Sequence, residues 1–215
     1  MGSNGYTAGH TALLFVDPYN DFLSEGGKLW PYIREVAAEV HLLDNLRAIT
    51  VAIRGVGIKI FMVPHHRWEP DDFKTWDFPN PYQLKAADRQ TFAKGSWGSE
   101  WASGFAPQPG DVVVKEHWGS SGFANTDLDL QLKQHGIRKV IVIGLLANTC
   151  IEATGRSAAE LGYHVTLVKD ATAAFSKDRM HAAHDLNGPT YAHAVLTTAE
   201  LISVLSSRSS PTVQL

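Results

Sequence analysis

The chain has very little of several features that mark particular classes of protein. It contains one cysteine in 215 residues, which excludes an internal disulfide and a thiolate metal cage. Its net charge is −3 and its basic residues occur at most in pairs such as Arg138 and Lys139, so neither nucleic acid nor an acidic membrane is predicted as a partner. No apolar run reaches the roughly 18–20 residues of a membrane span. Because the first ten residues lack the apolar core of a signal peptide, a cytoplasmic location is expected.

Along the chain, short apolar runs alternate with segments in which the apolar residues have the spacing of a helix. The predicted strands cover residues 11–17, 58–64, 111–116, 139–144, 164–171 and 193–198. The predicted helices cover residues 31–55, 126–136, 149–162, 178–187 and 199–205. Buried strands that alternate with helices predict an α/β fold: a single doubly wound, Rossmann-like domain with a six-stranded parallel sheet and helices on both faces. This domain is predicted to span residues 9–205, with tails at 1–8 and 206–215.

Residues 65–110 interrupt this alternation with an irregular segment. The segment contains four of the six tryptophans, Trp68, Trp76, Trp97 and Trp101. A disordered linker would not be so aromatic, so we expect a folded excursion from the sheet.

Three reactive side chains follow predicted strands. Asp17 ends the first strand, Lys115 ends the third, and Cys150 follows the fourth at the start of a helix. In open parallel sheets, ligands bind beyond the carboxyl ends of the strands. An acid, an amine and a thiol are therefore predicted to meet at one edge of the sheet, although each alone is also explained as a turn residue, a surface charge or a small buried side chain.

Together these groups suit nucleophilic catalysis. A helix N-terminus and a nearby ammonium group lower the pKa of a thiol and favour the thiolate nucleophile. A carboxylate can take the thiol proton and return it to a leaving group. Backbone amides at the turn before the helix can hold the oxyanion that forms on an attacked carbonyl.

The motifs around these residues resemble those of the isochorismatase-like cysteine hydrolases, a superfamily that includes nicotinamidases and ureide amidohydrolases. The similar segments are "LLFVDPYNDF" at 13–22, the region 95–132, and "VIVIGLLANTCIEATGRSAAELGYHVTLVKDATAAFS" at 140–176. The resemblance implies a Cys–Asp–Lys triad without a cofactor, and a cis peptide between Leu145 and Leu146. It also implies an oxyanion hole formed by the amides of Leu146 and Cys150. The activity it implies is hydrolysis of a small amide, ureide or carbamoyl C–N bond through a thioester, in a homo-oligomer.

The sequence departs from the family pattern near each of these positions. Tyr19 replaces the usual glutamine, and Ala147-Asn148 replaces the usual Thr-Asp. The lysine position is shifted: counting forward from residue 111 favours Lys115 or Glu116, and counting back from residue 123 gives His117. We favour Lys115, with its two neighbours as alternatives that could share the role. The nicotinamidase metal motif is absent, so no metal is predicted.

The substrate pocket is predicted from residues close to the strand ends. Four rings could stack on a flat or apolar substrate: Phe22, Trp97, Trp118 and Phe123. His65, with His66 and Arg67 beside it, could orient a polar end of the substrate. Asn148 could do the same or cap the following helix. The alternative for the rings is a place in the core or at a subunit interface.

Three other functions are compatible with parts of this sequence. An isochorismate-type vinyl-ether hydrolase is disfavoured, because enzymes of that type do not use the cysteine. A non-catalytic binding or scaffold domain of the same fold is disfavoured by the intact reactive side chains, although Ala147-Asn148 leaves it open. A nucleotide-binding module would need a glycine-rich loop after the first strand, and "VDPYNDF" has none.

Overall fold

Six short apolar segments form one parallel β-sheet in a computed structural model that describes residues 5–207. The strands are β1 (Thr11–Val16), β2 (Lys59–Val63), β3 (Val112–Val113), β4 (Lys139–Leu145), β5 (His164–Ala173) and β6 (Ala194–Leu196). Their order is β3-β2-β1-β4-β5-β6, and every neighbouring pair is parallel. The predicted six-stranded parallel sheet is confirmed.

Helices cover both faces of this sheet. They are α1 (Asn20–Leu23), α2 (Trp30–Glu39), α3 (Leu42–Gly55), α4 (Pro81–Arg89), α5 (Leu128–Gln134), α6 (Glu152–Glu160), α7 (Lys177–His181) and α8 (Thr198–Ser206). One apolar core packs α2, α3 and α8 against side chains such as Leu13 and Ile141. A second core packs α5 and α6 against the alternate side chains, such as Leu14 and Val142. The period-two alternation of each central strand thus supplies apolar surface to both layers.

Several element boundaries differ from the sequence prediction. The single helix predicted over 31–55 is two helices, because His41 has a left-handed backbone (φ 52°) between α2 and α3. The excursion after β2 contains α4, whose start is fixed by a capping box between Asn80 and Gln83. The third strand is only two residues long, and after it the chain pairs again with the β2 side through a bridge between His65 and His117.

The strand order places a crevice between β1 and β4. From β1 the chain builds the sheet outward through β2 to β3, and from β4 it builds the opposite way through β5 to β6. Such a reversal leaves a crevice at the carboxyl ends of the two central strands. Asp17 directly follows β1, and Cys150 lies in a single π-helical turn, Ala147–Ile151, that follows β4. The topology therefore brings together two residues that are distant in sequence.

Among residues 5–207, no helix combines the length and the apolar character needed to cross a bilayer.

Candidate active site

Asp17 lies at the bottom of the crevice and is completely buried. Its backbone amide donates to the carbonyl of Val63 at 3.1 Å, which continues the ladder between β1 and β2 by one residue. Its φ of 54° lies in the left-handed region, which aspartate tolerates better than most residues. The turn at this residue directs the carboxylate towards the end of β4.

Cys150 is presented by the π-helical turn between β4 and α6. The amides of Thr149 and Ile151 both donate to the carbonyl of Leu146, at 3.2 and 3.1 Å, and these bonds define the turn. Turns of this kind occur often at functional sites. The peptide bond between Leu145 and Leu146 is cis, as the family resemblance implies. The thiol is 8% exposed and faces the crevice.

The third member of the cluster is His117. Its Nε2 lies 3.0 Å from Oδ1 of Asp17, and both side chains are completely buried. Ligand atoms of Asp17, His117 and Cys150 all lie within 4.8 Å of one another. Lys115 is exposed on the surface and its backbone amide donates to Asp127, so the preference for Lys115 is wrong.

The register of the chain after β3 explains why residue 117, rather than residue 116, lies opposite residue 65. The pairs Phe61–Val112 and Met62–Val113 set the offset between β2 and β3. The bridge between His65 and His117 is offset by one more residue, so an extra residue is accommodated between β3 and the bridge. The extra residue brings residue 117 level with the end of β1.

Hydrogen bonds define the protonation of His117. Nδ1 lies 2.8 Å from the carbonyl oxygen of Gly119, which can only accept, so this nitrogen carries a hydrogen. Nε2 faces the carboxylate of Asp17, another acceptor. Burial lowers the pKa of His117, but the charge of Asp17 and the hydrogen bond to it outweigh burial, so the net pKa is raised. An imidazolium that donates from both nitrogens fits these contacts and takes the place expected for the lysine ammonium.

The thiol does not have the lowered pKa that the sequence analysis expected. Burial raises the pKa of Cys150 well above its ordinary value, and the negative charge of Asp17 raises it further. Weaker opposing effects come from the hydroxyl of Thr149 and the backbone amide of Leu146. Burial and the carboxylate thus favour a protonated thiol at rest. Oδ2 of Asp17 is buried and has no hydrogen-bond partner within residues 5–207, so this oxygen is free to accept a proton.

Glu116, the other alternative for the lysine position, has a structural role. Its carboxylate accepts from the backbone and the guanidinium of Arg67 and lies 3.4 Å from Nδ1 of His66. Although burial raises the pKa of Glu116, these bonds outweigh it and lower the value to about 2. Arg67 in turn lies over the ring of Tyr19, the residue that replaces the family's glutamine, at 4.9 Å from its centroid. This network supports the wall behind the crevice.

A cavity of about 540 Å³ opens directly onto Cys150 and Asp17. Three of the predicted pocket residues line it: Phe22, His65 and Trp118. Burial lowers the pKa of His65 to about 4, so its ring is neutral at pH 7. Because Nδ1 of His65 donates to the carbonyl of His66 at 2.9 Å, its Nε2 remains as an acceptor.

The other three predicted pocket residues lie elsewhere. Trp97 is 50% exposed and does not line the cavity. Phe123 packs on Tyr163, with ring centroids 5.9 Å apart, at the edge of the second core. Asn148 lines a shallow depression beside the cavity mouth, and its Oδ1 has no hydrogen-bond partner in residues 5–207. It does not cap the following helix, because no side-chain cap is formed there.

Sequence reasoning missed the residues of the outer cavity wall. They come from α2, from α4 and the turn after it, and from α7 and the segment before it, and they include Tyr32, Lys85, Arg89, Phe92, Phe175 and Arg179. The capping box "NPYQ" at 80–83 was the available signal that a helix lies inside the excursion. No sequence pattern indicated that this helix turns its residues towards Cys150.

Asp17, His117 and Cys150 offer one oxygen, one nitrogen and one sulfur, a donor set that zinc accepts. The nitrogen and the oxygen are already joined by a hydrogen bond, so a metal would have to displace that proton. The arrangement is thus complete as a proton-transfer network, and the absence of a metal stays a prediction.

Comparison with known proteins identifies the family of this chain. The isochorismatase domain model matches residues 11–200. The chain belongs to the isochorismatase domain family. It is 31% identical over 179 residues to a ureidoacrylate amidohydrolase RutB of Pantoea ananatis, which covers 78% of this chain and 71% of that protein.

Two solved structures support the assignment to this family. A cysteine hydrolase from Pseudomonas syringae pv. phaseolicola has a TM-score of 0.77 and 25% identity, over 94% of this chain and 95% of that one. An N-carbamoylsarcosine amidase from Thermoplasma acidophilum has a TM-score of 0.64 and 28% identity, over 88% and 96% of the two chains.

Proposed function

We propose that this protein is a cysteine hydrolase that cleaves the C–N bond of a small non-peptide amide or ureide, with Cys150 as nucleophile and Asp17 as proton shuttle. The observation that carries the proposal is the placement of a buried thiol within 4.8 Å of a buried carboxylate at the end of a cavity. The family relatives described above include hydrolases of ureide and carbamoyl bonds.

The first step forms a thioester. The thiol proton of Cys150 moves to Oδ2 of Asp17 as the sulfur attacks the carbonyl carbon of the substrate. The developing oxyanion accepts hydrogen bonds from the amides of Leu146 and Cys150. Support for this assignment comes from the position of Leu146, which lines the cavity together with Cys150. The C–N bond then breaks, and the proton on Asp17 passes to the leaving nitrogen, which departs as ammonia or an amine.

The second step regenerates the enzyme. Asp17 takes a proton from a water molecule, and the oxygen attacks the thioester carbon. The C–S bond breaks, the acid product forms, and the proton on Asp17 returns to the sulfur. His117 holds the carboxylate in place through Oδ1 in both steps, so that Oδ2 remains available for the proton. Its positive charge also stabilises the negative charge that develops on the sulfur.

A panel of small amides and ureides assayed for ammonia release tests the proposal. The parent protein is expected to release ammonia from at least one member and to accumulate an acyl-enzyme detectable by mass on Cys150. Cys150→Ala should abolish both signals while it leaves the thermal midpoint close to that of the parent. Dialysis against EDTA should leave the rate unchanged, as expected for a reaction without a metal. Turnover that persists in Cys150→Ala would refute the assignment.

Addition of isochorismate to the same panel separates the alternatives. A vinyl-ether hydrolase would release a carbonyl product from isochorismate without ammonia, and it would not need Cys150. A binding or scaffold domain would bind members of the panel without turnover. Of these two, neither accounts for a buried carboxylate placed beside the thiol.

A cytoplasmic location and a homo-oligomeric state also remain proposals. A reducing compartment suits a protein whose activity depends on one free thiol. The excursion exposes apolar side chains that would suit a subunit interface, among them Phe78, which is 93% exposed. Light scattering coupled to size-exclusion chromatography tests the oligomeric state.

A further inference from the structure

The charged side chains at the mouth of the cavity above Cys150 are all positive. Lys85, Arg89 and Arg179 line it, whereas the only carboxylate in the lining is the fully buried Asp17, which is bonded to His117. Within residues 5–207, none of the three cations forms an ion pair with a carboxylate. Asp88 and Asp178, their neighbours in α4 and α7, are exposed and do not line the cavity.

Two of these cations are held in place by aromatic rings. The guanidinium of Arg89 lies over the ring of Tyr32 at 4.9 Å, and that of Arg179 lies over the ring of Phe175 at 5.6 Å. The rings of Tyr32 and Phe175 contact each other, with centroids 6.0 Å apart. An arginine thus stacks on each ring of an aromatic pair that joins α2 to the segment before α7. Stacking leaves the N–H groups of a guanidinium free to donate in the plane of the group.

We propose that Arg89 and Arg179 bind a carboxylate at the end of the substrate that is remote from the scissile bond, so that the substrate is an anionic amide or ureido acid. This inference rests on the hydrolase function proposed above. A planar guanidinium fork matches a carboxylate, and each of the two forks adds positive charge to the mouth of the cavity. Lys85 adds a third positive charge to the same lining. The aromatic walls suit the flat or apolar part of the molecule between its two polar ends.

A matched pair of probes isolates the charge. 4-Carbamoylbenzoate and terephthalamide have the same size and shape, and they differ in that one carries a carboxylate where the other carries a second amide. The kcat/KM of the parent for the anion is expected to exceed that for the diamide by about tenfold, the factor that corresponds to one charge-assisted hydrogen bond. This preference should shrink as the salt concentration rises, because both arginines are exposed at the mouth.

Variants of the two arginines test their roles. Arg89→Gln and Arg179→Gln should each reduce the preference several-fold, mainly through a higher KM for the anion, and the double variant should remove it. Arg138→Gln is the matched control: this exposed arginine precedes β4 at the opposite edge of the sheet and should keep the parental preference. A preference equal to or below one in the parent, or an unchanged preference in both cavity variants, overturns the proposal.

A binding experiment distinguishes this inference from the hydrolase function. Calorimetric titration of the Cys150→Ala variant measures the affinity of both probes without turnover. Tighter binding of the anion, lost in the Arg89→Gln and Arg179→Gln backgrounds, supports the carboxylate site even where neither probe is hydrolysed by the parent. In that case only the hydrolase proposal would be weakened. Equal affinities for the two probes would overturn the carboxylate site.

Discussion

The pair formed by Asp17 and His117 makes the most demanding prediction. Both side chains are completely buried, so water cannot replace a contact that a substitution removes. Removing one partner of a buried ion pair costs about 3–5 kcal/mol, since the remaining charge is left without compensation. His117→Ala should therefore lower the free energy of unfolding at pH 6 by about this amount, a large share of the roughly 5–15 kcal/mol typical of a domain.

A double-mutant cycle isolates the pair from the space left by the missing ring. Once Asp17→Asn has removed the carboxylate charge, His117→Ala no longer leaves an uncompensated charge, and the cavity contributes equally on both sides of the cycle. The two substitutions together should thus cost less than the sum of the single changes, by about 2–3 kcal/mol. Urea denaturation followed by tryptophan fluorescence measures the four free energies, and the six tryptophans provide the signal.

The pH dependence of this coupling has a definite sign. The folded pKa of His117 is raised, chiefly because the Asp17 charge and hydrogen bond outweigh the opposing effect of burial. A raised pKa contributes stability that is complete below the unfolded value of about 6.5 and is lost as the pH rises through the folded value. The coupling should therefore be larger at pH 6 than at pH 9. Additivity within about 0.5 kcal/mol at pH 6, or a coupling that grows with pH, would refute the reasoning.

Three further predictions follow from the same site and its supports. Asp17→Asn should accelerate alkylation of Cys150 by iodoacetamide at pH 8, because the substitution removes a negative charge that raises the thiol pKa. The same substitution should abolish turnover. Slower alkylation than in the parent would contradict the effect assigned to the Asp17 charge. His117→Lys should keep activity and shift the alkaline limb of the pH profile of kcat/KM to higher pH, because the ordinary pKa of lysine is about 10.4. An alkaline limb at the parental pH would show that the cation at position 117 is not required. Gly144→Ala should prevent folding or lower the unfolding free energy by more than about 3 kcal/mol, because the added methyl group would overlap a backbone carbonyl of β1 and the φ of Gly144 is 115°. Gly55→Ala should change the unfolding free energy by less than about 1 kcal/mol, because its methyl group meets open space. Circular dichroism with urea denaturation measures both variants, and equal effects would contradict the packing argument.

The central part of the fold was predictable because it depends on local patterns. The strands that carry Asp17 and Cys150 are continuous apolar runs, and such runs predict strands buried on both faces. Once parallel strands are accepted, their carboxyl ends must lie at one edge, and the two residues at those ends meet there without further information. The positions of the acid and the thiol at one edge of the sheet could therefore be predicted from the sequence.

The identity of the third residue was not predictable from the strand pattern. Lys115 directly follows an apolar run, but the register of β2 and β3 would place residue 116 opposite residue 65, and one extra residue in the chain brings His117 there instead. A bulge of this kind follows from tertiary packing and has no local sequence signal. The prediction of a lowered thiol pKa was wrong for a related reason. Burial and the neighbouring carboxylate raise the pKa of Cys150 and outweigh the effects expected from a helix end and an ammonium group.

Replacement of an ammonium group by an imidazolium at this place has a chemical consequence. The ordinary pKa of lysine is about 10.4 and that of histidine about 6.5, so a histidine loses its charge at a lower pH than a lysine in the same surroundings. When His117 loses its proton, the lone pair of Nε2 faces the carboxylate of Asp17, because Nδ1 remains bonded to Gly119. The carboxylate would then be held less firmly, and the sulfur would lose a positive charge nearby. The same fold with the same acid and thiol should thus work over a narrower pH range than its lysine counterparts, and the pH profile of His117→Lys measures this difference directly.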